Sequence, residues 1–210
     1  MSIKFRFLSI LIVVFFFSVN CTPKKIASDI TAQIMASGSP AFEMESDVEV
    51  AESTGLTMVK MLEAFQYDNP KNKNLNGLLA RSYANYTKGF IEMKMFQNEG
   101  VDKKKYEKYL KRAKVFYTRG KEYGLKSLAS NGGFKRALNK DLDTFKKSLK
   151  SFGRGSVDRL FWTAMCWGNL INLSKDSPLA ISQFPKVEAM MARVLKLDEF
   201  YYYGGPHLFF

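Results

Sequence analysis

Apart from its carboxylates, the sequence holds one histidine and two cysteines with which to ligate a metal or attack a substrate. His207 follows Pro206, with no cysteine or carboxylate at a metal-ligand spacing, so an incidental histidine is the expectation. Cys166 sits within Phe161-Trp162-Thr163-Ala164-Met165-Cys166-Trp167-Gly168. A reactive thiolate wants neighbouring cations, and this apolar setting suits a buried, inert thiol. Glu43, Glu45, Asp47 and Glu49 imitate paired catalytic carboxylates, but their alternate spacing reads as a solvated entry to the next helix. Gly153-Arg154-Gly155 is a loop with an arginine. Nucleophile elbow, phosphate loop and dinucleotide fingerprint are all missing from the sequence. The expectation is a protein that is not an enzyme, with no catalytic residue, metal or cofactor.

Cys21 has a different context. Lys4 and Arg6 precede an apolar run from Phe7 to Phe17, and Ser18-Val19-Asn20 leads to the cysteine. A basic start and a run of about 7–15 apolar residues form a secretory signal, and the run falls short of the roughly 20 residues that span a bilayer. The approach to Cys21 resembles a bacterial lipobox, with Asn20 where a smaller residue is usual. Lipidation at Cys21 is the expectation; a cleaved signal with a bystander cysteine, or an uncleaved anchor, are the alternatives. The division that follows is 1–20 signal peptide, 21–40 lipid-anchored tether with a short helix, and 41–210 one helical domain. With Cys21 acylated, Cys166 has no disulfide partner.

The net charge is +12, and residues 101–150 alone carry 16 Lys or Arg against 5 Asp or Glu. Export argues against nucleic acid as the partner. Anionic headgroups or an acidic protein fit the charge better, and a plain solvated helix face is the bland reading.

The elements that would position these residues are helical throughout. After a polar tether, Thr22 to Ser28, a short helix is expected from Asp29 until Gly38-Ser39-Pro40 breaks it. Helices then follow from Asp47 to Asn69, through Leu75 to Met95, and along a basic stretch to Asn131, with apolar residues three and four apart. Residues 134–152 read as one or two short helices. Ser156 is the expected N-cap of the next helix, with Asp158 in its first turn, and Pro185 opens another that ends at Leu197. The class is all-α, in antiparallel pairs. Pro70, then Leu79-Ala80 and Tyr83, echo a tetratricopeptide repeat, as does the end at Val194–Phe200, without a regular period. Of the 18 Phe, 10 Tyr and 2 Trp, Trp162 and Trp167 straddle one helix. Aromatics of this kind either pack the core or line a ligand pocket.

Taken in order, Phe42-Glu43, Leu62-Glu63 to Pro70-Lys71-Asn72, Arg112-Ala113-Lys114-Val115-Phe116-Tyr117, Arg119-Gly120 and Tyr123-Gly124-Leu125 form one series. It continues with Phe161 to Gly168, Pro185-Lys186-Val187-Glu188-Ala189, Arg193 to Glu199, and Gly204-Gly205-Pro206-His207. This series, over about residues 40–210, resembles the T-component (TatT) of tripartite periplasmic (TRAP) transporters. The resemblance implies a tetratricopeptide-like periplasmic lipoprotein, on the outer or inner membrane, that assembles as a homotrimer. It would dock a TRAP solute-binding protein and accept a small hydrophobic or organic-acid ligand at residues still unknown. An envelope lipoprotein serving as a helical-repeat scaffold is the alternative. Family members continue past the Gly-Gly-Pro-His segment, so the apolar Leu208-Phe209-Phe210 reads as the start of a further helix in an apparently truncated chain.

Overall fold

The structure is a computed structural model, and it describes residues 23–210. The expected signal segment and Cys21 lie outside the described residues. Every described element is helical, as the apolar spacing predicts. In chain order these are α1 (Pro23–Ser37), α2 (Ser39–Glu43), α3 (Val48–Asp68) and α4 (Lys73–Tyr86). A π-helical segment (Thr87–Glu92) joins α4 to α5 (Met93–Gln97), and the basic helix α6 (Lys103–Leu128) follows. Then come α7 (Gly132–Ala137), α8 (Leu142–Leu149), a 3-10 turn (Arg154–Ser156) and α9 (Val157–Asn172). The chain ends in α10 (Pro178–Ile181), α11 (Phe184–Leu197) and α12 (Tyr201–Phe209). Among the described residues no helix is long and apolar enough to cross a membrane.

Short polar side chains start these helices by accepting backbone N–H groups that have no partner within the helix. Asp47 caps α3 through the amides of Glu49 and Val50, and Asn72 caps α4 through those of Asn74 and Leu75. Asp102, Asn131, Asp141 and Ser177 do the same for α6, α7, α8 and α10. Two local expectations are corrected. Ser156 stands at the N-cap of α9 as expected, but its hydroxyl serves no helix amide and accepts a hydrogen bond from Arg159 Nη2 at 2.9 Å instead. The helix expected from Asp29 begins earlier, because α1 already winds from Pro23, where a proline's missing N–H costs nothing.

The centre is a three-helix seam in which α4, α6 and α9 all touch one another. It depends on a helix face without side chains. A Cβ on Gly124 would lie 2.2 Å from Thr163 Oγ1, so only glycine lets α6 approach α9 this closely. One core spreads from the seam through Tyr117, Phe134, Phe145, Phe161 and Met190 toward α7, α8 and α11. A second joins α1, α3 and α4 through Ala32, Leu62, Leu75 and Tyr83. Each large side chain fully buried there contributes about 1.5–3 kcal/mol. Leu79, Ala80 and Tyr83 are fully buried. The helices α3, α4 and α6 have 21, 14 and 26 residues, so they follow no regular repeat length.

Candidate ligand-binding cleft

A cleft of about 580 Å³ opens between α2, α3, α4 and the π-helical segment, and Tyr202 also lines it. That is the size of a small-molecule site. Phe42, Val48, Met58, Leu78, Phe90 and Met93 give it apolar walls, and the charged groups at its lining are Glu43, Glu45, Arg81 and Lys88.

Arg81 is the centre of its electrostatics. From α4 its guanidinium donates through Nη2 to Glu43 Oε1, and Nη1 stands 3.8 Å from Asp158 Oδ1 on α9. Its Cζ lies 5.6 Å from the centroid of the Trp162 ring, where the ring face attracts a cation. Burial alone would weaken the charge of Arg81. The hydrogen bond and charge of Glu43, then the charge of Asp158, outweigh it and hold the guanidinium protonated. Tyr201 Oη donates to Asp158 Oδ1 at 2.7 Å and accepts from Trp162 Nε1 at 3.1 Å. Burial first, then the Asp158 carboxylate, push the Tyr201 phenol well above its ordinary range, so it stays a donor.

Two departures from regular backbone border the cleft. The π-helical turn, a feature found often at functional sites, brings Lys88, Gly89 and Phe90 to the lining. It is fixed from behind, where buried Glu92 accepts from Tyr117 Oη at 2.8 Å and from Lys88 Nζ at 2.7 Å. Tyr202 and Tyr203 adopt left-handed φ of 47° and 59°, which costs about 1–2 kcal/mol per non-glycine residue. The contacts that hold this turn come from α9. The Tyr202 ring packs edge-on to Trp162 at 4.7 Å, and a Cβ on Gly205 would stand 2.8 Å from Phe161.

A second depression, about 510 Å³, is lined by charged and polar side chains of α3 and α6. At its floor Glu63 pairs with Lys60 and accepts from Tyr83 and Tyr123.

The residues singled out in the sequence fall in unequal places. Cys166 is fully buried, its Sγ 3.4 Å from the Ala80 carbonyl oxygen, and burial pushes its thiol up. His207 is half exposed beside Glu199, and the structure brings no metal-ligating cluster together among the described residues. Trp162 and Trp167 are core residues. The aromatics at the cleft are Phe42, Tyr86, Phe90 and Tyr202. The acidic stretch is corrected in part: Asp47 is a helix cap, as an entry to α3 should be, but Glu43 is the ion-pair partner of Arg81. That role had no local signal, because the two residues are 38 positions apart.

The family model of the TRAP transporter T-component matches residues 44–210. The chain belongs to that family. A search of curated proteins finds no match. The T-component match spans α3 to α12, and so contains the whole α4–α6–α9 seam and the strained Tyr202 turn. Membership makes the chain a transport-accessory component and associates it with the cell envelope.

Proposed function

We propose that this T-component is a tetratricopeptide-like lipoprotein, held at the periplasmic face by acylation of Cys21. It docks a TRAP solute-binding protein, as one subunit of a homotrimer, and accepts that protein's ligand in the cleft beside Arg81. The observation that carries the reading is an apolar cleft with one partly buried guanidinium in its wall, matched by Glu43 on the five-residue helix α2. A ligand carboxylate can take the place of the Glu43 carboxylate on Arg81, while the ligand's apolar part lies against Met58 and Phe90. The walls supply affinity and the charge supplies orientation, the usual division in a small-molecule site.

The test is titration of the protein with decanoate, followed by calorimetry, and capture of a TRAP solute-binding protein. Saturable decanoate binding that Ala51→Trp abolishes by filling the cleft, together with capture of the binding protein, supports the reading. Decanoate binding unaffected by Ala51→Trp removes the cleft from it. Failure to capture any TRAP binding protein leaves the envelope scaffold as the better description.

A further inference from the structure

We propose that α1 lies flat in the headgroup region of the bilayer, with Ile26, Ile30 and Ile34 turned into the lipid; this rests on the lipid anchor at Cys21. The helix has two unlike sides. Ser28 and Ala32 are buried against the body and Met35 packs on the second core. Asp29 is also turned inward, accepting from the side-chain amide of Asn69 at 3.1 Å and from that of Asn72. At 100° per residue Ile26, Ile30 and Ile34 form one stripe on the opposite side. They are 47%, 52% and 63% exposed.

Charge strengthens the case. From Ile26 to Ser37 the single charged residue is Asp29, and it is spent on the inner side. Between Ile26 and Ser37 the exposed residues are the three isoleucines, Ala27, Gln33, Ala36 and Ser37, with no charge among them. Exposed Lys25 stands at the end nearest Cys21, at headgroup depth. Only Thr22 separates Cys21 from Pro23, which allows at most about 7 Å of extended chain. Acyl chains on Cys21 would thus present α1 to the bilayer at high effective concentration. The stripe is also too small for a protein partner. It is one side chain wide and about 12 Å long, whereas a standard interface takes about 800 Å² from each partner.

The experiment uses the full-length protein expressed with its signal, extracted in detergent, and reconstituted in vesicles of phosphatidylethanolamine and phosphatidylglycerol. Mass spectrometry of Cys21 comes first, and a chain without acyl groups overturns both the anchor and the inference resting on it. For acylated protein, Ile30→Trp is compared with the parent, whose Trp162 and Trp167 are buried. The expected result is extra emission at shorter wavelength that acyl-brominated lipid quenches, with the parent emission unchanged. As a second readout, Ile26→Asn/Ile30→Asn/Ile34→Asn should stay anchored while amide exchange in α1 rises. If the extra emission of acylated Ile30→Trp is unquenched, or if α1 exchange is the same in parent and triple variant, the placement of α1 is overturned and the anchor stands. Cross-linking of position 30 to a second copy would also overturn it, in favour of self-association.

Discussion

The outer faces of α1 and α6 are both open to solvent, yet they are built on opposite rules. Along α6, Lys103, Lys104, Lys105, Lys108, Lys111 and Lys126 are exposed, and Val115 is its one exposed large apolar side chain. Along α1 from Ile26 to Ser37 the exposed residues are three isoleucines, two alanines, Gln33 and Ser37, and the one acid in that span is turned inward. Lysines let a helix face stay in water by burying their stems and hydrating their heads. The isoleucine face has no such means. Abundant charge on α6 is consistent with solvent alone and does not require a partner, whereas the uncharged outer side from Ile26 to Ser37 fits the second medium proposed for it.

The largest effect should come from removing what brings α1 to that medium. Cys21→Ser is expected to leave unprocessed precursor and abolish detergent-phase partitioning, read by precursor mass and phase separation. Three isoleucines do not hold a protein to a membrane by themselves, since stable anchoring takes two signals. Partitioning that survives the substitution would assign the attachment to something other than Cys21.

The next effect contrasts the two sides of α6. Gly124→Ala, on the inner side, must displace Thr163, whose hydroxyl already donates to the Arg159 carbonyl at 2.5 Å. We expect a loss of about 1–3 kcal/mol in denaturant unfolding, the usual cost of overpacking. Lys111→Gln, on the outer side, should change stability by less than about 0.5 kcal/mol. A stable Gly124→Ala protein would mean that α6 and α9 can separate without cost.

Smaller still is the effect of salt on the cationic region of α6 to α8. An acidic partner bound there should bind more weakly as salt rises from 0.01 M to 0.1 M, because the Debye length falls from about 30 Å to about 10 Å. Binding that ignores salt would make the lysines of α6 a solvated face and nothing more.

Local rules made most of the helices readable, and long-range contacts explain what they missed. Asp47, Asn72 and Asp102 announce helix starts because the cap and the amides it serves are two or three residues apart. Ser156 has the same residue type, but Arg159 competes for its hydroxyl. Apolar spacing carried α4 on to Met95 as one helix; the π-helical turn inside that span ends at Glu92, which binds Tyr117 from 25 residues away. The cleft was the least legible part. Its cation is matched by an acid that reads as solvated, and its lining includes a tyrosine in a conformation its own type disfavours. Trp162, which the sequence does single out, supports the cleft from behind without lining it.

The smallest effect concerns the point where α6 meets the carboxylate of α3. Burial would raise the pKa of Glu63, but its hydrogen bonds to Lys60 and Tyr83, then the charges of Lys60 and Arg119, outweigh this and hold it below its ordinary value of 4.5. Burial and then Glu63 push the Tyr83 phenol up, so Tyr83 remains a donor throughout. A carboxyl group with a depressed folded-state pKa contributes stability that is fully present above the unfolded value. The contribution is lost as pH falls through the folded one. Acid unfolding should therefore lose part of its steepness below pH 4.5 in Glu63→Gln, while at neutral pH the variant is slightly less stable than the parent. The group is partly solvated through the depression it floors, which keeps the difference small. If stability against pH has the same slope in both proteins, Lys60 and Arg119 are screened at this site, and the charge of α6 stays on its outer face in energetic terms too.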